Sequence, residues 1–164
     1  MGSTDQQAND AAVARGIARP PLLYLACLFL GLVLDRMLPL PLILREAGLI
    51  RWTVGGGLVV VGIAIMATGI RNFSRAATLV RSNQPVRALV ATGIHAWSRN
   101  PIYVGMLLIY VGIGIAALSP WVLVLALPLV IILRYVVVAR EEAYLERRFG
   151  DSYRDYKAHV RRWL

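Results

Sequence analysis

The sequence predicts an all-α fold: a polytopic membrane helical bundle of about four transmembrane helices, followed by a C-terminal amphipathic helix. Three observations predict it. Hydrophobic residues make up 58% of the 164, and the mean hydropathy of +0.62 exceeds that of an ordinary soluble domain. Four apolar windows approach the roughly 20 helical residues needed to cross a hydrocarbon core about 30 Å thick. The charges, finally, lie between those windows instead of covering one face of each.

Residues 1–12 are polar and without periodicity, which predicts a disordered tail, and residues 13–164 then form a single domain. The first window, Ala18 to Leu34, is the weakest, because its uninterrupted apolar run begins at Pro20 and closes on Asp35 and Arg36. It spans if Arg15 and Arg19 snorkel to the headgroups, and is otherwise a re-entrant or interfacial helix. A secretory signal peptide does not fit, since polar residues come first and Leu38-Pro39-Leu40-Pro41 stands where a small-residue cleavage site belongs. The second window, Trp52 to Ile70, is ample, and the third, Ile102 to Leu118, is adequate. The fourth, Trp121 to Ala139, comes after only Leu118-Ser119-Pro120, so the last two spans form a tight antiparallel hairpin. Beyond Gly150, the residues Tyr153, Tyr156, Val160, Trp163 and Leu164 recur among basic ones, a pattern that fits an amphipathic lid or anchor on the membrane.

The 18 Lys and Arg against 9 Asp and Glu raise the question of nucleic acid. Placement decides against it. With four spans, Arg15, Arg19, Arg71, Arg75, Arg81, Arg87, Arg99 and the eight basic residues from Arg134 to Arg162 share one side, leaving Arg36, Arg45 and Arg51 opposite. The positive-inside bias then puts both termini in the cytoplasm, as in a bacterial-type inner membrane protein, and no groove-reading motif accompanies the charge. Membrane lipids are the partners this distribution implies. Cys27 alone makes no internal disulfide, and His95 and His159 lack companions at metal-ligand spacing, so no metal site is predicted.

Polar chemistry concentrates in two segments that the hairpin returns to one membrane surface. The connection from Arg71 to Asn100 is long for a bundle. It ends in Ser98-Arg99-Asn100-Pro101, where Ser98 or Asn100 can cap the next helix, Pro101 suits its first turn, and free N–H groups offer an anion site. Gly105, one turn inside, with Gly112 and Gly114 beyond, allows close approach by a helix or a ligand. In the second segment Arg134 lies in otherwise apolar sequence, where a charge faces a partner or a cavity. Glu141 stands seven residues on, two helical turns along the same face, beside Glu142.

These pieces occur in a telling order. Leu89-Val90-Ala91-Thr92-Gly93-Ile94-His95 precedes Ser98-Arg99-Asn100-Pro101-Ile102-Tyr103-Val104-Gly105, then Glu141-Glu142-Ala143-Tyr144-Leu145-Glu146 and Phe149-Gly150-Asp151-Ser152-Tyr153-Arg154-Asp155-Tyr156. Over about residues 55–164 the chain resembles the isoprenylcysteine carboxyl methyltransferase and phospholipid methyltransferase superfamily of integral membrane enzymes. The resemblance implies a cytoplasmic pocket for S-adenosylmethionine, left as S-adenosylhomocysteine, in which an Arg-His-Pro segment and a Glu-Glu pair hold the cofactor beneath a C-terminal helix. Carried over by position, the cofactor-binding candidates are Leu89, Val90, Gly93, His95, Arg99, Asn100, Pro101, Tyr103, Gly105, Glu141 and Glu142.

Two departures bear on the substrate. Asn100 stands where many members have His, and His95 where a Tyr is common. Asn does not titrate, so a mechanism with a base at position 100 is excluded. Methyl transfer from a sulfonium disperses charge and asks chiefly for positioning in a dry site. An acceptor carboxylate is already ionised near neutral pH, whereas an ammonium must lose a proton first. Lacking an obvious base, the sequence favours a prenylcysteine-type carboxylate over a phospholipid amine or a small hydrophobic thiol, although Glu142 or His95 could serve an amine. On this reading one Glu takes the cofactor ammonium, Arg134 or Arg99 steers an anionic acceptor, and Tyr103 lines the transfer site or merely packs. A non-catalytic membrane scaffold or lipid-binding protein is the competing class.

Overall fold

The computed structural model describes residues 19–40, 48–75 and 89–164; the tail of residues 1–12 lies outside them, as do Arg15, Arg45, Arg81 and Arg87. Helix α1 is Pro20–Met37, and α2 is Gly48–Arg75. A short 3₁₀ turn, Gly93–Ala96, leads into α3, Pro101–Ala116. Next come α4, Pro120–Ile132, a π-helical stretch, Leu133–Val138, α5, Ala139–Phe149, and α6, Asp151–His159. The segments from Pro120 to Phe149 form one continuous 30-residue helix, which with α1 and α2 makes three helices among the described residues long and apolar enough to cross a membrane. The first window is thus an 18-residue helix. The third is the shorter one: Pro101 starts α3 and the turn at Ala117 ends it after 16 residues, about 24 Å at 1.5 Å per residue.

The four helices pack in the order α1, α4, α3, α2, each touching mainly its neighbour in that row. Tyr24, Tyr110, Val122, Leu129, Leu133 and Val137 form the core of the α1, α3 and α4 side. Outward faces stay apolar, with Leu25, Phe29, Val60 and Leu127 all more than half exposed. In water such a surface would aggregate, whereas in a bilayer it is the required solvent contact.

Between α2 and α3 the seam is made of glycine. Gly55, Gly62 and Gly69 recur every seven residues on α2, and Gly105 and Gly112 do so on α3. The helices run antiparallel and mesh there: a Cβ built on Gly62 would stand 2.6 Å from the Gly105 carbonyl oxygen, and one on Gly112 would stand 2.6 Å from that of Gly55. Only hydrogen side chains permit backbones this close.

At the end opposite the polar cluster, Asp35 joins α1 to the α3–α4 hairpin. It accepts from the Ser119 hydroxyl, whose oxygen in turn accepts from Val122 N at 3.1 Å and so caps α4. Trp121 Nε1 donates to the Leu38 carbonyl at 2.7 Å. At about 1.5 Å per residue the Pro120–Phe149 helix is about 45 Å long, some 15 Å more than the hydrocarbon thickness. Its last turns, bearing Glu141 and Glu142, therefore emerge into the interface.

Candidate active site

Three pieces meet where that helix emerges: the Ser98–Tyr103 corner, the Glu141-Glu142 pair of α5, and the segment after α6. The corner is folded by its own backbone rules. Gly93 has φ +60°, and a Cβ there would overlap the Asn72 side-chain amide, so both conformation and space call for glycine. Asn72 donates from α2 to the Thr92 carbonyl at 3.0 Å, fixing the turn to the bundle. Val90 and His95 are buried, His95 edge-on to Phe73 with ring centroids 4.7 Å apart, while Leu89 is half-buried. Tyr156 of α6 donates to the His95 carbonyl at 2.6 Å. Pro101 is buried at the first position of α3.

The predicted side-chain cap of α3 is not made. Asn100 occupies the cap position, but its amide instead donates to the Arg162 carbonyl at 3.0 Å, and Ser98 Oγ accepts only from Asn100 N at 3.2 Å. The competitor is the chain after α6. Residues 160–164 run alongside, with a parallel bridge between Ser98 and Arg161 in which Arg99 N donates to the Arg161 carbonyl at 2.9 Å.

Glu142, buried, is the electrostatic centre. Arg162 grips it in a two-pronged bond, Nε to Oε1 at 2.9 Å and Nη2 to Oε2 at 2.7 Å. Arg99 Nη1 lies 3.0 Å from Oε1 from the other side. The carboxylate raises the affinity of the Arg162 guanidinium for its proton. Tyr153 is 1% exposed, and burial above all, then the Glu142 charge, pushes its phenol up to about 12. The Tyr156 phenol likewise rises to about 12 by burial. Burial holds the His95 imidazole below its ordinary value, hence neutral. Among the described residues neither of its ring nitrogens has a hydrogen-bond partner, nor does Arg99 Nε, although all are buried.

Glu141 points the other way, into the bundle. Tyr103 Oη donates to Glu141 Oε1 at 2.6 Å, and Tyr24 of α1 donates to the Tyr103 carbonyl at 3.0 Å. Between α3 and the long helix lies a half-open apolar cavity of about 210 Å³, lined by Val104, Leu107, Val130 and Leu133 and bordered by Trp163 and the exposed Leu164.

Among the sequence-predicted residues, Arg99, Asn100, Tyr103, Glu141 and Glu142 thus converge. Gly105 does not join them: its open side faces Gly62, the helix alternative of the two. Arg134 does not share the face of Glu141. It is exposed, its guanidinium 5.3 Å from the centre of the Tyr135 ring. The seven-residue spacing places two groups on one face only in an unbroken α-helix, and the π turns between them add a residue per turn, rotating the residues beyond by about 100°. Arg162 and Tyr24 carry no sequence signal. Both partners lie far along the chain from the groups they meet, 62 residues for Arg162 and Asn100 and 79 for Tyr24 and Tyr103, and no local pattern marks either one.

Comparison with known proteins agrees with this arrangement. The phospholipid methyltransferase family model matches residues 50–152, from α2 to the start of α6, and so contains the Ser98–Tyr103 corner and the Glu pair. An uncharacterized protein of Haemophilus influenzae strain Rd is 54% identical over 35 residues, which are 21% of this chain and 56% of that protein. The chain thus matches little more than half the length of that relative. No solved structure matches. With the family model covering most of the chain and the residues of its converging site, this membrane protein belongs to the phospholipid methyltransferase family.

Proposed function

We propose that this protein transfers a methyl group from S-adenosylmethionine to a lipophilic acceptor at the cytoplasmic membrane interface, and that the acceptor is a phospholipid headgroup amine. The observation that carries the acceptor class is the Tyr103–Glu141 contact of 2.6 Å, beside the Arg99–Glu142 pair. The sequence alone favours a carboxylate acceptor for want of a base, and Glu141 is a carboxylate held in place by the Tyr103 phenol. An ammonium headgroup must give up a proton before its nitrogen can attack, and Glu141 is placed to accept it. The family match to phospholipid methyltransferases supports the same choice.

The residues fit the cofactor. Its methionine portion carries an ammonium and a carboxylate, which Glu142 and the buried Nε–H of Arg99, unpartnered among the described residues, complement. When bound, it supplies an electrophilic methyl on a sulfonium that leaves as a neutral thioether. The chain's part is to bind the donor, exclude water through the Tyr153 and Tyr156 cover, orient the acceptor and take its proton on Glu141. Arg134, outward on the bundle, suits attraction of lipid phosphate more than contact with the reacting atoms. The basic segments flanking the site favour its cytoplasmic placement.

The test is transfer of radiolabelled methyl to defined acceptors by protein in nanodiscs. Label in phosphatidylethanolamine, lost in Glu141→Gln, is the expected result. Label in a prenylcysteine analogue alone would replace the amine with the carboxylate reading. Failure of the folded protein to bind S-adenosylhomocysteine would favour a non-catalytic scaffold.

A further inference from the structure

Glu142, which the proposed function offers to the cofactor's ammonium, already has both oxygens engaged. Arg162 holds Oε1 and Oε2 together, Arg99 adds a second contact to Oε1, and the carboxylate is 9% exposed. A cation arriving there meets a carboxylate that another cation occupies. Of the two arginines, Arg99 is the more buried, at 10% exposure against 27% for Arg162, and it sits in the corner that α3 fixes. Arg162 rides on the five residues after α6, which are tied to the site through two carbonyls: Arg99 N donates to that of Arg161, and Asn100 Nδ2 to that of Arg162. The next residues, Trp163 and Leu164, form one wall of the half-open apolar cavity between α3 and the long helix. One short strap therefore carries both the competitor for Glu142 and part of the cavity wall.

We propose that residues 160–164 are a cofactor-displaced latch: the cofactor's ammonium takes the place of the Arg162 guanidinium on Glu142, and the strap's release withdraws Trp163 from the wall of the half-open cavity and widens it for the acceptor's hydrocarbon chain. This rests on the cofactor reading of the site and adds a coupling to it. The coupling runs through neighbouring residues of one strap, and each ligand favours the released state, so each assists the other. The cavity's size and lining suit the occupant: a dry apolar cavity of about 150 Å³ accepts a benzene-sized hydrocarbon, and this one is larger, about 210 Å³.

A direct competitor and a supporting residue make opposite predictions for Arg162→Gln. If Arg162 is the latch, the variant binds S-adenosylhomocysteine more tightly, by about tenfold, equivalent to about 1.4 kcal/mol. If Arg162 only holds Glu142 in position, the variant binds more weakly, and the latch is refuted. The second measurement uses the full chain in nanodiscs with Trp52, Trp97 and Trp121 changed to Phe, so that emission reports Trp163 alone. Saturation with S-adenosylhomocysteine should shift that emission to the red and remove its shielding from iodide. This reading does not depend on the stability of the Arg162 variant. Saturable calorimetric binding with unchanged Trp163 emission overturns the latch and leaves the methyltransferase reading intact. Absence of any binding by folded wild-type protein overturns both.

Discussion

Replacing Gly62 by Ala places one methyl group where the structure has room for none. The new carbon would stand 2.6 Å from the Gly105 carbonyl oxygen, 2.8 Å from Ile109 Cγ1 and 2.9 Å from Ile109 N. Two of these three are backbone atoms of a helix and cannot rotate away. A carbon and a carbonyl oxygen come no nearer than about 3.3 Å in ordinary contact, so α2 and α3 must part by about 0.7 Å along much of the seam. Overpacking of this kind costs about 1–3 kcal/mol, less the roughly 0.5–1 kcal/mol by which Ala is a better helix residue than Gly, leaving a loss of about 1–2 kcal/mol. Gly57 is the internal control, because a Cβ there meets nothing within 4 Å. Gly57→Ala should gain about 0.5–1 kcal/mol from backbone entropy alone. The two variants, equal in composition, should therefore differ by about 2 kcal/mol in reversible unfolding by sodium dodecyl sulfate in mixed micelles, followed by circular dichroism. Equal stability would mean that α2 and α3 do not approach this closely at Gly62, and the glycine seam would have to be abandoned.

Glu142→Gln leaves two guanidinium groups without their anion. Because Arg162 can turn toward water, the loss should fall near the low end for a broken buried pair, about 3 kcal/mol by the same unfolding assay, and a loss below about 1 kcal/mol would mean the cluster is solvated. Tyr103→Phe removes the donor to Glu141 and should cost about 1–2 kcal/mol while slowing methyl transfer; unchanged turnover would reduce Tyr103 to helix packing. His95 gives a pH signature. Its folded pKa is depressed by burial below 6.5, so the unfolded chain takes up the proton first. Stability is fully present above 6.5 and is lost as pH falls through the folded value. In His95→Gln that part of the acid-side slope should vanish, and an unaltered slope would assign it elsewhere.

Much of this architecture is readable from the residues because a bilayer demands little more than length and apolarity of a span. The Leu118-Ser119-Pro120 link announces the α3–α4 hairpin, and the motif order carries Arg99, Asn100, Tyr103, Glu141 and Glu142 to one place. The features that escape depend on contacts between distant residues. Asn100 has the chemistry of a cap, but the Arg162 carbonyl, 62 residues on, takes its amide. Arg134 points away from the face that periodicity assigns it, because periodicity assumes a constant turn and the π segment changes it. Arg162 is one of several cations in a basic tail, and its bond to Glu142 and the bridge between its neighbour Arg161 and Ser98, both contacts distant in sequence, single it out. The glycine seam is half legible: Gly105 and Gly112 stand out, yet their partners on α2 are recognised only when both sets share the seven-residue step.

That shared step makes the α2–α3 pair behave like a rack with fixed teeth. The two helices can mesh only at settings about 10 Å apart, seven residues at about 1.5 Å each, so small piston strokes of one against the other are forbidden. Asn72, near the C-terminal end of α2, therefore holds the Thr92 carbonyl, and with it the turn that carries His95, at a height set by glycine contacts midway along the helices. A thinner or thicker membrane can tilt the pair but not slide it. Adaptation to a different lipid must then come from the parts outside the rack, chiefly α1, α6 and the strap.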